Sequence, residues 1–176
     1  MDLETALEES ALEEGVRRSE NDDEGSKAKK EADRAIVQER LRLMGFQRVP
    51  TEGFGDCQFI AVAQTADLKQ SPLDLRTSVV RHMTDRAGDW KPFVHNQGFG
   101  NYLNRMRQAR LQWGDHLTLI ALAEILKRPI QLVTASAGPQ YVEDITPPPS
   151  IPQSEWGQTI VLAYFGELHY EGTIPA

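Results

Sequence analysis

Residues 51–66 read TEGFGDCQFIAVAQTA: a polar, glycine-punctuated loop that runs straight into an apolar helical pattern, with Cys57 at the junction. Cys57 is the single cysteine in 176 residues, so the chain holds one free thiol and no internal disulfide. The first amides of a helix lack intrahelical partners and carry partial positive charge. That charge favours a thiolate over a thiol, and the same amides can hold the oxyanion of a tetrahedral intermediate. Gly53 and Gly55 are expected to let this backbone approach a substrate closely. The other reading of a lone cysteine is a buried structural thiol, and position does not choose between the two.

A nucleophilic cysteine needs a base, and the chain offers four histidines. His82 falls within a helical pattern and His95 in a loop, both read as surface residues, while His116 stands where it can cap a helix. His169 lies in FGELHYEGT, a strand pattern near the C-terminus, with Glu171 two residues on. Alternate residues of a strand point to one side, so Glu171 can orient the imidazole and support its charged form. That is the geometry of a Cys–His–acid arrangement drawn from distant parts of the chain; the other reading of a histidine in a strand is a packing or surface residue.

Around these residues the periodicity changes along the chain. KEADRAIVQERLRLMGF (30–46) predicts an amphipathic helix with Ile36, Val37, Leu41 and Met44 inward and Gly45 near its end. SPLDLRTSVVRHMTDRA (71–87) predicts a helix with Ser71 as N-cap and Pro72 in its first turn. Two more helical patterns, NYLNRMRQARL and GDHLTLIALAEILK, follow. After Pro129, PIQLVTA, QYVEDI, QTIVLAYF and LHYEGT read as strands, divided by turn signals and the proline-rich TPPPSIP. Helices first and strands later predict an α/β or α+β hydrolase-like layout.

The length suits one domain with a real core. Residues 1–34 hold 12 acidic and 6 basic side chains, so nearly all of the net charge of −7 sits in the tail and the body has no basic surplus. A general nucleic-acid binder is therefore disfavoured. No apolar run approaches a membrane span, and MDLETALEES lacks the basic start and apolar core of a secretory signal. An intracellular, reducing setting is expected, cytoplasmic or nuclear. Residues 1–30 are expected to be a mostly disordered acidic tail, and 31–176 the folded domain.

Several segments resemble the ovarian-tumour (OTU) family of cysteine deubiquitinases, nearest to its small plant- and protist-type members, over about residues 35–174. The family's nucleophile motif, Asp-Gly-Asn/Asp-Cys-x-Phe-Arg-Ala, is matched by Phe54-Gly55-Asp56-Cys57-Gln58-Phe59-Ile60-Ala61. WGDHLTLIALAEILKRPIQLV matches its middle signature, preceded by Tyr102, Leu103 and Met106. The terminal motif, an apolar strand and then His-Tyr-Asn/Asp, is met by His169-Tyr170-Glu171. The resemblance implies a papain-like fold, a central β-sheet packed between helices. It implies catalysis by Cys57, His169 and Glu171, an oxyanion loop of Phe54, Gly55 and Asp56, and substrate contacts from Trp113, Gly114, Asp115 and Tyr170. It further implies a monomer that hydrolyses isopeptide bonds at the C-terminus of ubiquitin or a ubiquitin-like modifier, binding ubiquitin or its chains and needing no cofactor or metal.

Three positions depart from the pattern: Phe54 for Asp, Ile60 for Arg and Glu171 for Asn or Asp. Phe54 offers no hydrogen bond, so the oxyanion donors reduce to backbone amides, those of Gly55, Asp56 and Cys57. A catalytically weak or inactive ubiquitin-binding module is the alternative function, and a cysteine hydrolase with another acyl substrate is a third. DLETALEESALEE (2–14) resembles a ubiquitin-interacting motif, with Leu3, Ala6 and Ser10 at its contact offsets; an ordinary charged, alanine-rich helix fits it as well.

Overall fold

The computed structural model describes residues 25–95, 97–166 and 169–176. A helix, α1, occupies residues 25–43. It ends at Gly45, whose φ of 82° is the left-handed conformation that stops helices and that glycine adopts without strain. By contact, the chain divides into Met1–Ile36 and Val37–Ala176, and the second unit carries everything that follows. Of the α1 residues expected to face inward, Val37 and Leu41 are buried and Met44 is half-buried, whereas Ile36 is exposed.

The remaining elements are β1 (Phe46–Val49), α2 (Cys57–Thr65), α3 (Pro72–Asp85), α4 (Ala87–Trp90), α5 (Phe99–Met106), α6 (His116–Leu126), β2 (Ile130–Val133), β3 (Val142–Ile145), β4 (Ile160–Phe165) and β5 (His169–Pro175). All four strands expected after Pro129 form. β1 was not expected; it takes up Phe46, which the helical pattern had included. Ser71 caps α3 through a reciprocal capping box with Asp74, and Pro72 occupies its first turn. The α6 cap is Asp115, and His116 is the first helical residue rather than the cap.

The five strands form one sheet in the order β1-β5-β4-β2-β3. Only β2 and β4 run parallel; the other pairs are antiparallel. β4 explains the layering. Its Ile160, Leu162 and Tyr164 join one apolar cluster with α2, α3, α5 and α6, while Val161, Ala163 and Phe165 join a second with Val37 and Leu41 of α1. A strand apolar on both sides must be covered on both sides, which is the expected sheet between helices.

In the second cluster Leu41 is fully buried, so truncating it leaves a cavity. Leu41→Ala should cost about 2–5 kcal/mol, the usual range for truncating a buried leucine. Urea unfolding would register this as a lower midpoint with an unchanged slope.

Candidate active site

The loop before α2 is held by an arginine on the inner face of α3. Arg76 is 1% exposed, and its guanidinium engages four acceptor groups. Nε and Nη2 donate to Asp56 Oδ1 (3.0 and 2.8 Å). Nη2 also donates to Gly55 O and Gln112 O (2.8 Å each), and Nη1 to Met106 O (2.9 Å). Its Cζ lies 4.5 Å from the Phe59 ring centre. One buried side chain thus ties the cysteine loop to segment 106–112. The loop lies so close to that segment that a Cβ on Gly55 would sit 2.8 Å from the carbonyl oxygens of Arg110 and Gln112. Close approach, not a left-handed φ, is what requires glycine there.

This packing engages the loop amides. Gly55 N donates to Arg110 O and Cys57 N to Phe54 O, both at 3.0 Å. Two of the three expected oxyanion donors are therefore satisfied within the protein. Among the described residues, the Asp56 amide has no hydrogen-bond partner. Phe54 is 51% exposed, with the Arg110 guanidinium 5.4 Å above its ring.

Cys57 begins α2 and is 0% exposed. The histidine it meets is His169, the first residue of β5. His169 Nε2 lies 3.2 Å from Glu171 Oε1. The hydrogen bond with Cys57 and then the one with Glu171 favour the imidazolium over the opposing effect of burial, raising its pKa from 6.5 to about 9. Glu171 is only 3% exposed. Burial pushes its carboxyl up, but the His169 hydrogen bond and the charge and hydrogen bond of Arg48 outweigh this and hold it below the usual carboxylate range. The other histidines lie elsewhere. His82 is half-buried rather than a surface residue, 3.2 Å from Glu124 Oε2 and edge-on to Trp90. His95 and His116 are exposed.

The residues expected to contact substrate divide. Trp113 is exposed at the surface beside the loop, whereas Gly114 is buried. The Asp115 carboxylate is committed to the start of α6: Oδ1 accepts from the Thr118 amide and the Tyr102 hydroxyl, both at 3.0 Å. Tyr170 is 2% exposed and packs on Tyr164, with ring centres 4.8 Å apart, which removes it from the cleft surface. The strand alternation that sends His169 and Glu171 to one side sends Tyr170 to the other. Leu3, Ala6 and Ser10 lie outside the described residues.

Three contributors escaped the sequence reading: Arg48, Arg76 and Gln58. Gln58 is fully buried and joins α2 to α6, donating to Asp115 O (3.0 Å) and accepting from Thr118 Oγ1 (2.6 Å). Arg76 left one trace, a charged residue in phase with the apolar stripe of Val79, Val80 and Met83.

The family model for OTU-like cysteine proteases matches residues 52–173, and the chain belongs to that family. It is 28% identical over 144 residues to the Arabidopsis thaliana OVARIAN TUMOR DOMAIN-containing deubiquitinating enzyme 10, covering 79% of this chain and 37% of that protein. With enzyme 11 of the same plant it shares 30% over 143 residues, covering 78% and 54%. The chain thus spans about a third to a half of the length of these relatives. Among solved structures, the OTUD1 OTU domain superposes with a TM-score of 0.72 at 18% identity, covering 85% of this chain and 99% of that one. An OTU domain in complex with ubiquitin gives 0.56 at 15%, covering 73% and 69%. These likenesses establish the fold.

Removing the Arg76 side chain would leave Asp56 uncompensated and three carbonyls without their donor. Arg76→Ala should therefore destabilise by about 3–5 kcal/mol, as breaking a buried ion pair does. Chemical denaturation would read this out, and a loss under 1 kcal/mol (about the worth of an exposed pair) would contradict the buried network.

Proposed function

We propose that this chain is a deubiquitinating cysteine protease that hydrolyses isopeptide bonds at the C-terminus of ubiquitin or a ubiquitin-like modifier. The observation that carries the reading is one histidine, His169, hydrogen-bonded both to the sole cysteine and to a buried carboxylate. Family membership and the activity named for the plant relatives support it.

In this mechanism Cys57 gives its proton to His169. The thiolate attacks the carbonyl carbon of the modifier's terminal glycine, and the oxyanion forms beside the Asp56 amide. Collapse expels the lysine amine, which takes the proton back from His169 and leaves a thioester on Cys57. His169 then takes a proton from water, the hydroxide attacks the thioester, and the free modifier carboxyl departs with the thiol restored. Glu171 orients the imidazole and offsets its positive charge. A thiol nucleophile works only while reduced, so we infer a reducing, intracellular setting.

The non-catalytic alternative draws on Phe54 and the engaged Gly55 and Cys57 amides. A ubiquitin bearing a C-terminal electrophile separates the two. Wild type should be labelled covalently and Cys57→Ala not. A wild type that binds ubiquitin yet stays unlabelled would make the chain a binding module.

The pH dependence follows from the charged pair. His169 is raised above its unfolded value, so its stabilising contribution is complete below about 6.5 and is lost as pH rises through about 9. Glu171 is lowered, so its contribution is present above 4.5 and is lost as pH falls through its folded value. Cleavage of a ubiquitin C-terminal amide should fall with an alkaline midpoint near 9, where His169 gives up the proton the leaving amine needs. A midpoint near 6.5 would show that His169 is not held by Cys57 and Glu171.

A further inference from the structure

Arg48, on β1, is half-buried and uses its donors differently from the buried Arg76. Arg76 spreads its nitrogens over four acceptor groups of two segments, the pattern of a structural clamp. Arg48 commits Nη1 to a single acceptor, Glu171 Oε2, at 2.7 Å. Its Nε is buried and, among the described residues, unmatched. A side chain placed for general cohesion would not leave that donor idle.

The sheet register explains the contact. Arg48 pairs with Thr173 across β1 and β5, so the two share a face, and Glu171, two residues back, lies on the same face as the diagonal neighbour. On the far side of β5, Ala163 and Phe165 of β4 stand opposite Glu171 and His169. The Arg48 guanidinium lies 5.7 Å from the Phe165 ring centre, and that ring lies 6.0 Å from the His169 ring. The two Glu171 oxygens are therefore divided: Oε2 is bound by Arg48, and Oε1 meets His169 Nε2. The carboxylate is one methylene longer than the Asn or Asp of the related motif and has correspondingly more freedom to turn. Binding one oxygen removes that freedom and fixes where the other points.

We propose that Arg48 is a positioning residue for the reaction above: by binding Glu171 Oε2 it aims Oε1 at His169 and so holds the imidazole toward Cys57. This rests on the proposed cysteine protease reading. Arg48 itself touches neither the nucleophile nor the base.

The test compares wild type, Arg48→Met and Arg48→Lys, each alone and with Glu171→Gln, on a fluorogenic ubiquitin C-terminal amide. Arg48→Met should lower kcat about 10- to 100-fold with KM nearly unchanged, the scale of a small misplacement of catalytic groups. Arg48→Lys, which keeps the charge, should recover part of the loss and serves if the Met variant does not fold. With Glu171→Gln in place, replacing Arg48 should cause little further loss, because its route to His169 is already altered. Proton NMR adds a readout that needs no turnover. The downfield N–H resonance of the His169–Glu171 hydrogen bond should be present in wild type and Arg48→Lys, and broadened or lost in Arg48→Met. An unchanged kcat and resonance in Arg48→Met, or an equal loss with and without Glu171, would overturn the proposal. A wild type that cleaves no ubiquitin substrate would remove the functional reading, and the resonance would still decide the role of Arg48.

Discussion

A carboxylate that is 3% exposed cannot stand unpaired; the desolvation of such an ion costs several kcal/mol unless counter-charge and hydrogen bonds offset it. Glu171 meets this demand from two sides, with Arg48 on Oε2 and His169 on Oε1. Much else follows from that constraint. β1 must pair with β5 in a register that puts Arg48 on the His169 face. The imidazole, hydrogen-bonded to Cys57 and facing this buried anion, is held in its charged form. The third residue of the candidate triad is thereby part of the folded core.

The nucleophile's loop is built on the same economy of charge, with the sign reversed. Here the buried ion is Arg76, and the acceptors are Asp56 and three carbonyls. Drawing those carbonyls inward brings segment 106–112 against the loop and commits the Gly55 amide to Arg110 O. Asp56 then has two distinct ends: its carboxylate anchors the loop, and its amide is the donor left beside the thiol. Phe54 contributes through its backbone carbonyl, which holds the Cys57 amide, while its ring stays at the surface under Arg110.

What the sequence disclosed followed from patterns that repeat. β4 was legible because IVLAYF is apolar on both faces, and α3 because Ser71 and Pro72 announce its start and Leu75, Val79, Val80 and Met83 keep phase. Cys57, His169 and Glu171 could be drawn together because strand alternation and the motif order both pointed to them. β1 was hidden: FQRV is four residues long, follows a helix directly and has no alternation to distinguish it. Its Arg48 was hidden with it, since a contact across 123 positions leaves no periodic trace. Tyr170 misled for the opposite reason. It stands beside His169 in the motif, but adjacency in a strand means opposite faces.

The complete burial of Cys57 bears on the protein at rest. Oxidation of a cysteine depends on access as well as on thiolate character, and burial removes the access. The His169 imidazole is hydrogen-bonded to the sulfur, while the packing around Cys57 withholds it from solvent. Burial of the nucleophile thus shields it from the over-oxidation to which an exposed reactive thiol is prone.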